Sequence, residues 1–349
     1  MLKSRRYASD VRNVLAEQEF AVGEEATFLV TGATGLIGSA FVDALLGLND
    51  FFGARFTVRV AGRSVERLRA RFGDRGDVVP VAYDAAGTNG FDFESDYIVH
   101  AASNASPDKY MAQPVETMVA NFDGLRELLD YAHRVQARRL LYVSSSEVYG
   151  VKETSAPFGE SDYGRVDILN VRSSYSEAKR AAETLAVSYA AEYGTDVAIA
   201  RPGHVYGPTA LPTDGRISSL FARQAAVGED LVMKSDGRTV RSYCHCLDCA
   251  TALLTVLWRG GRGEAYNISN PGSVISIRQM AELMAKAGSV RLGFECPTES
   301  ERRAFNPMDN ASLDAERLLA LGWKPFFGAE EGIAETVGVL RDMEVVKGV

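Results

Sequence analysis

The chain has 349 residues, of which 46% are hydrophobic and 24% charged, and it carries a formal net charge of -8. That composition supports one large or two modest domains with a full core, held without disulfide or metal staples. An acidic balance with no run of Lys or Arg excludes a general nucleic-acid binder, and no apolar run is long enough to span a bilayer.

Met1 to Phe20 lacks an unbroken apolar core, so no secretory signal is expected, and the stretch from Ser9 to Phe20 reads as a short polar-faced helix. Ala26 to Val30 then forms a strand, followed by Thr31-Gly-Ala-Thr-Gly-Leu-Ile-Gly38 and a helix from Ser39 to Leu46. Strand, glycine turn and helix in that order open a parallel doubly wound sheet. A strand at Phe56–Ala61 and a charged helix at Val65–Phe72 come next. Further strands follow at Val78–Tyr83, Tyr97–His100, Arg139–Val143 and Asp196–Ala200, alternating with helices at Val115–Ala132 and Ser174–Tyr193. The pattern predicts an α/β, Rossmann-like sheet covered on both faces. After Arg201-Pro202, Pro and Gly punctuate shorter elements, with helices at Ser218–Val227, Cys249–Arg259, Ile277–Ala287, Ala315–Leu321 and Ala329–Asp342. The expected domains are therefore a helical extension at 1–25, a dinucleotide-binding domain at 26–200, and a smaller α/β substrate-binding lobe at 201–349, the boundary being approximate and the lobes free to interleave.

Cys244-His245-Cys246 and Cys249 superficially suggest zinc, but no second Cys/His pair follows at ligand spacing. Buried thiols in a reducing cytoplasm are the better reading, with no metal expected.

In the glycine turn, Gly32 permits the tight bend, Gly35 lets backbone approach a pyrophosphate, and Gly38 allows close helix–strand packing. The helix N-terminus adds partial positive charge for phosphate, so Thr34, Leu36 and Ile37 belong to the same cofactor site. The second strand ends Val60-Ala-Gly-Arg63, without the acid that grips the ribose 2′-hydroxyl in NAD sites. Arg63 there suits the 2′-phosphate of NADP, so these residues leave the expected cofactor as NAD or NADP. Asp84, closing the third strand, would suit adenine recognition, and Ala101, Ala102 and Pro202, at later strand ends, complete the predicted contacts.

Two stretches carry the chemistry: Ser144-Ser-Ser-Glu-Val-Tyr-Gly150 and Tyr175-Ser-Glu-Ala-Lys179. Tyr175 and Lys179 share a helix face, so the ammonium can sit beside the phenol. A nearby cation favours phenolate and makes the tyrosine a usable base near neutral pH. Ser145 would align a substrate alcohol against that base, and Glu147 adds a second acid/base group.

These motifs, with Arg201-Pro202 to Gly207-Pro208, resemble the extended short-chain dehydrogenase/reductases, over nearly the whole chain. That family includes the NAD-dependent sugar-nucleotide epimerases, dehydratases and decarboxylases. The resemblance implies a Ser145–Tyr175–Lys179 catalytic group, a nucleotide-sugar substrate held by the C-terminal lobe, and a homodimer built by pairing long helices. Ser145-Ser146-Glu147-Val-Tyr-Gly150 looks like the Thr-Ser-Glu-Val-Tyr-Gly of UDP-glucuronate decarboxylases. The 4,6-dehydratases carry an acid at the position of Ser146, whose hydroxyl is far too weak an acid to replace it. Arg172, three residues before Tyr175, is similar to a decarboxylase arginine, and the segments around Arg216 and Arg241 resemble nucleotide- and phosphate-binding stretches. His204 stands where the family usually carries an Asn that contacts the sugar nucleotide. The expected reaction is decarboxylation after oxidation at C4. A 4-epimerase, a 4,6-dehydratase, an NADPH-dependent 4-ketosugar reductase and a non-catalytic dinucleotide sensor are the alternatives.

Overall fold

The computed structural model describes residues 1–298, 308 and 310–347. Seven parallel strands form its main sheet: β1 (Glu25–Thr31), β2 (Arg55–Gly62), β3 (Val78–Ala82), β4 (Tyr97–His100), β5 (Arg139–Val143), β6 (Val197–Pro202) and β10 (Ala265–Ile268), in the order β10-β6-β5-β4-β1-β2-β3. All six residues of β6 are buried, as expected of a parallel strand covered on both faces.

Helices α5 (Pro114–Arg134) and α6 (Ser174–Glu192) cover one face, where Leu125, Leu128, Leu129, Ala182 and Ala186 meet Leu140 and Ile199. Helices α2 (Leu36–Phe52) and α8 (Cys246–Arg259) cover the other. Between β1 and β4 the strand order reverses, and a crevice at such a switch point is where open α/β sheets bind ligands.

The N-terminal helix α1 runs Arg5–Ala16, earlier than its polar pattern suggested, because Ser4 Oγ caps it by accepting from Tyr7 N. It is an integral part of the main domain, since Tyr7, Val11, Val14 and Leu15 are buried, and an added Cβ at Gly47 on α2 would lie 2.5 Å from Val11. The Tyr7 hydroxyl donates to Asp43 on α2 at 2.9 Å, and Arg71 at the end of α3 (Val65–Phe72) donates to the same carboxylate oxygen at 2.5 Å.

A division at residue 200 does not follow the sheet. Strand β10 pairs with β6, and α8 packs against α2, so residues 246–268 lie in the nucleotide-binding layer. The second lobe is built around β9 (Val240–His245), flanked by β7 (His204–Tyr206), β11 (Val274–Ser276) and β13 (Asn310–Ala311). Helices α7 (Ile217–Val227), α9 (Ile277–Gly288) and α11 (Ala329–Lys347) enclose its core of Tyr206, Phe221, Met233, Tyr243, Met280, Met284 and Ile333.

Candidate active site

The glycine turn has the geometry its spacing demands. Gly32 adopts φ +67°, and a Cβ there would lie 2.6 Å from the Ala101 carbonyl. Gly38 packs so closely that a Cβ would strike the Gly32 carbonyl oxygen. Gly35 caps α2 without a side chain, leaving the backbone N–H groups around Thr34, Leu36 and Ile37 free for an anion. The turn after β1 and Ala101-Ala102 after β4 therefore form one cradle at the switch point, which fits a dinucleotide. Arg63 is exposed at the end of β2. Asp84 is exposed too, and its carboxylate accepts from Ala86 N while its own N–H donates to Asn89 Oδ1.

Tyr175 and Lys179 lie on α6, 6% and 1% exposed. Ser145 caps a 3₁₀ turn, Ser146–Tyr149, by accepting from Glu147 N at 3.2 Å. Ser145 also stands close enough to the Tyr175 hydroxyl to lower its pKa, so the structure brings together the serine, tyrosine and lysine that the sequence picked out. The Tyr175 ring stacks on Tyr110 at 5.3 Å and 13°. Tyr110, on α4 (Pro107–Ala112), escaped sequence reasoning because nothing in its local pattern marks a long-range ring contact.

The electrostatics differ from the expectation for a Tyr–Lys pair. Burial pushes the Tyr175 hydroxyl up to about 12; Ser145 and Arg216 pull it down, while Glu147 and Tyr110 oppose them. The Lys179 ammonium lies 5.9 Å from the Tyr175 ring centre and donates to the Val143 carbonyl at 2.8 Å. Burial lowers Lys179 to about 7, against an upward pull from Glu183.

Across the crevice stands a cationic wall. Side chains two apart on a strand share a face, so Arg241 and Tyr243 of β9 point together, and His204 pairs with Tyr243 across the β7–β9 ladder. The His204 ring opens into the crevice 5.8 Å from Tyr243. Desolvation by the surrounding walls, then Arg241 and Arg216, pushes it down to about 3, so the imidazole is neutral at physiological pH. Arg216 is held by Asp214 through Nε at 3.0 Å and Nη2 at 2.5 Å. Arg172 reaches Glu147 at 3.8 Å, both groups partly exposed. Arg241 is 5% exposed, and among the described residues its side chain's hydrogen bond is a 3.4 Å contact to its neighbour's carbonyl, Val240 O. Among the described residues no carboxylate pairs with it. Burial lowers its pKa, with Tyr243 and Glu147 opposing and Arg172 assisting.

Cys244, Cys246 and Cys249 are buried in the core, and burial pushes their thiols up. Among the described residues no group of three His, Cys, Asp or Glu could hold a metal ion. No described helix is long and apolar enough to cross a membrane.

Residues 28–269 match the model of the NAD dependent epimerase/dehydratase family. The chain belongs to that family. Among curated members, UDP-glucuronic acid decarboxylase 6 of Arabidopsis thaliana is 34% identical over 319 residues, covering 87% of this chain and 86% of that one. UDP-glucuronic acid decarboxylase 1 of Xenopus tropicalis is 31% identical over 326 residues, covering 90% and 72%. Among solved structures, a Thermus thermophilus UDP-glucose 4-epimerase in complex with NAD superposes with a TM-score of 0.76 at 25% identity, covering 90% of this chain and 99% of that chain.

For an epimerase/dehydratase family member, the glycine cradle is the cheapest feature to test. A Gly38→Ala variant is expected to lose NAD affinity by about 5- to 150-fold, since overpacking of this kind costs about 1–3 kcal/mol. Calorimetric titration with NAD measures it, and an unchanged affinity would mean that the dinucleotide does not use this turn.

Proposed function

We propose that the protein is a nicotinamide-dependent decarboxylase of a nucleotide-linked uronic acid, with UDP-glucuronate as the leading substrate. The observation that carries this reading is the set of Arg172, Arg216 and Arg241 around Tyr175 and His204, in a chain whose net charge is negative. A nucleotide diphosphate-sugar brings two phosphate charges, and a uronic acid adds a carboxylate. Arginine forks suit both groups. The curated relatives named as UDP-glucuronic acid decarboxylases support the same reading.

The cradle at Gly32, Thr34, Gly35, Leu36, Ile37, Gly38, Ala101 and Ala102 would hold the dinucleotide, with Lys179 and Pro202 at the nicotinamide end and Arg63 and Asp84 near the adenosine. NAD is the expected form, as in the family and in the Thermus thermophilus complex. Bound there, oxidised nicotinamide supplies an acceptor for the C4 hydride and later a donor for its return.

Tyr175 accepts the C4 hydroxyl proton, while Ser145 aligns that hydroxyl. A phenol near 12 is a poor base at neutral pH, so Tyr175 requires added positive charge once substrate and cofactor close the site. In the 4-ketone the C6 carboxylate is β to a carbonyl. The C5–C6 bond then breaks, CO2 leaves, and the electron pair is held as an enolate that takes a proton at C5. Glu147, tethered to Arg172, is placed to manage that proton. Ser146 is too weak an acid to expel a C6 hydroxyl, which argues against dehydration.

The exposed apolar residues Val115, Met118, Val119 and Phe122 of α5 recur at i, i+3, i+4 and i+7, with exposed Val187 on neighbouring α6. A stripe of that period is a helix-pairing face, and a homodimer built on it fits the reading.

The deciding experiment incubates the purified protein and NAD with UDP-glucuronate, UDP-glucose, UDP-N-acetylglucosamine and dTDP-glucose, and weighs the products. UDP-glucuronate is expected to lose the mass of CO2. Its recovery untouched, alongside loss of water or epimerisation from another sugar, would overturn the assignment.

A further inference from the structure

Tyr175, Lys179 and Glu183 are spaced by four residues and share one face of α6. Glu183 is 8% exposed, yet its carboxylate is fully engaged. Its Oε1 accepts from Ser144 Oγ at 2.5 Å and from Arg201 Nε at 3.0 Å, and its Oε2 accepts from Arg201 Nη2 at 2.6 Å. Arg201, on β6, also donates from Nη1 to the Tyr149 hydroxyl at 3.0 Å and to the Glu160 carbonyl at 2.9 Å. Tyr149 in turn donates to Asn267 Oδ1 on β10 at 2.5 Å. Burial works against the Arg201 charge, but Glu183 more than offsets it and the guanidinium stays firmly protonated.

The places where this buried network touches the chain give it a role. Ser144 immediately precedes Ser145, and Tyr149 closes the 3₁₀ turn that carries Glu147. The pair thus pins both ends of the short segment that presents the serine and the acid, and it does so from the helix that presents the tyrosine and lysine.

We propose that Glu183, with Arg201 as its partner, is a positioning residue that registers the Ser145–Glu147 segment against Tyr175 and sets a negative charge one turn from Lys179 on the same helix face. The inference rests on reading Tyr175 and Lys179 as the reacting pair. Lys179 is surrounded by Tyr142 of β5, its ammonium 4.6 Å from that ring, by Tyr175 on its own helix, and by His100 of β4. His100 is driven to about 3 by burial, with Lys179 lowering it further, and is neutral. Tyr142 and Tyr175 are pushed up by burial and carry no charge near neutral pH. Among the described residues that face Lys179, Glu183 is therefore the anion that opposes its desolvation.

The test follows the lysine itself, without substrate or cofactor. The chain has eight lysines, so ¹³Cε-lysine labelling gives a readable spectrum, and the Lys179→Met variant assigns the signal. In the parent protein Lys179 is expected to titrate near 7. In Glu183→Gln the titration should fall by about one pH unit or more, the usual effect of losing a close opposite charge. Glu183→Asp, which keeps the charge, should restore much of the shift. Glu183→Gln leaves Arg201 buried without its partner, so the double variant Glu183→Gln/Arg201→Met is made beside it. That variant buries no lone charge, and its Lys179 titration should fall too. With substrate, the alkaline limb of kcat, where Lys179 loses its proton, should move to lower pH in step. A Lys179 titration unchanged in either folded variant overturns the proposal. Failure of every nucleotide sugar to react, with the titrations moving as expected, would instead count against the functional reading alone.

Discussion

The Tyr175→Phe variant will bind NAD as the parent does and turn over nucleotide sugar about 10²–10⁴-fold more slowly, the range lost when a positioned acid/base group is removed. The substitution deletes one hydroxyl whose protein contact is Ser145. The ring keeps its stack on Tyr110 at 5.3 Å, so the fold and the crevice wall should survive. Steady-state rates with UDP-glucuronate, set beside fluorescence titration with NAD, separate the two effects. The loss should fall on kcat, because the phenol acts on a proton that moves during the reaction and adds little to substrate binding. A variant retaining more than about a tenth of parental kcat would mean that another group takes the C4 proton. Glu147, whose charge already bears on Tyr175, would then be the first to examine.

The parts of this site that were legible in the sequence are those fixed by neighbours along the chain. Gly32 and Gly38 announce a nucleotide turn because backbone collision with Ala101 and within the turn itself admits nothing larger. Tyr175 and Lys179 follow from helix periodicity alone. Alternation along β9 was enough to put Arg241 and Tyr243 on one face. Where partners come from distant segments, local pattern was silent. That β10 returns to the main sheet beside β6, across the expected boundary at residue 200, depends on a pairing that its four residues do not advertise. The expected acidification of Tyr175 by Lys179 assumed that the ammonium turns toward the phenol. It turns instead to the Val143 carbonyl, a backbone group that no side-chain motif can show. Glu183, one turn beyond Lys179, had a sequence signal in its four-residue spacing, but its meaning depends on Ser144 and Arg201, brought in by β5 and β6. His204 departs from the family's Asn, and its pKa is lowered first by desolvation and then by Arg241 and Arg216, residues that its own sequence neighbours do not announce.

Arg241 yields the other large prediction, with opposite signs for stability and binding. A guanidinium this buried, held by one 3.4 Å contact to a neighbouring carbonyl, costs the free protein a desolvation penalty that no carboxylate among the described residues repays. Replacing it by Met, of similar length and without charge, should therefore raise Tm, since apolar replacements at buried ionic sites are commonly neutral or stabilising by about 1–4 kcal/mol. The same change should raise KM for the nucleotide sugar by about 30-fold to 5 × 10³-fold, because losing one partner of a buried charged contact costs about 2–5 kcal/mol. Arg241→Lys is the informative control: it keeps a buried charge but loses the planar fork that grips phosphate or carboxylate at two points. It should weaken binding without gaining Tm. Thermal melts of the unliganded proteins and KM values for the three chains separate these outcomes. If Arg241→Met lowered Tm and left KM unchanged, Arg241 would be a packing residue of β9, and the anion would have to be held by Arg172 and Arg216. The expected pattern instead describes a cation that the fold strains to keep, whose charge is satisfied only when an anionic substrate enters the crevice.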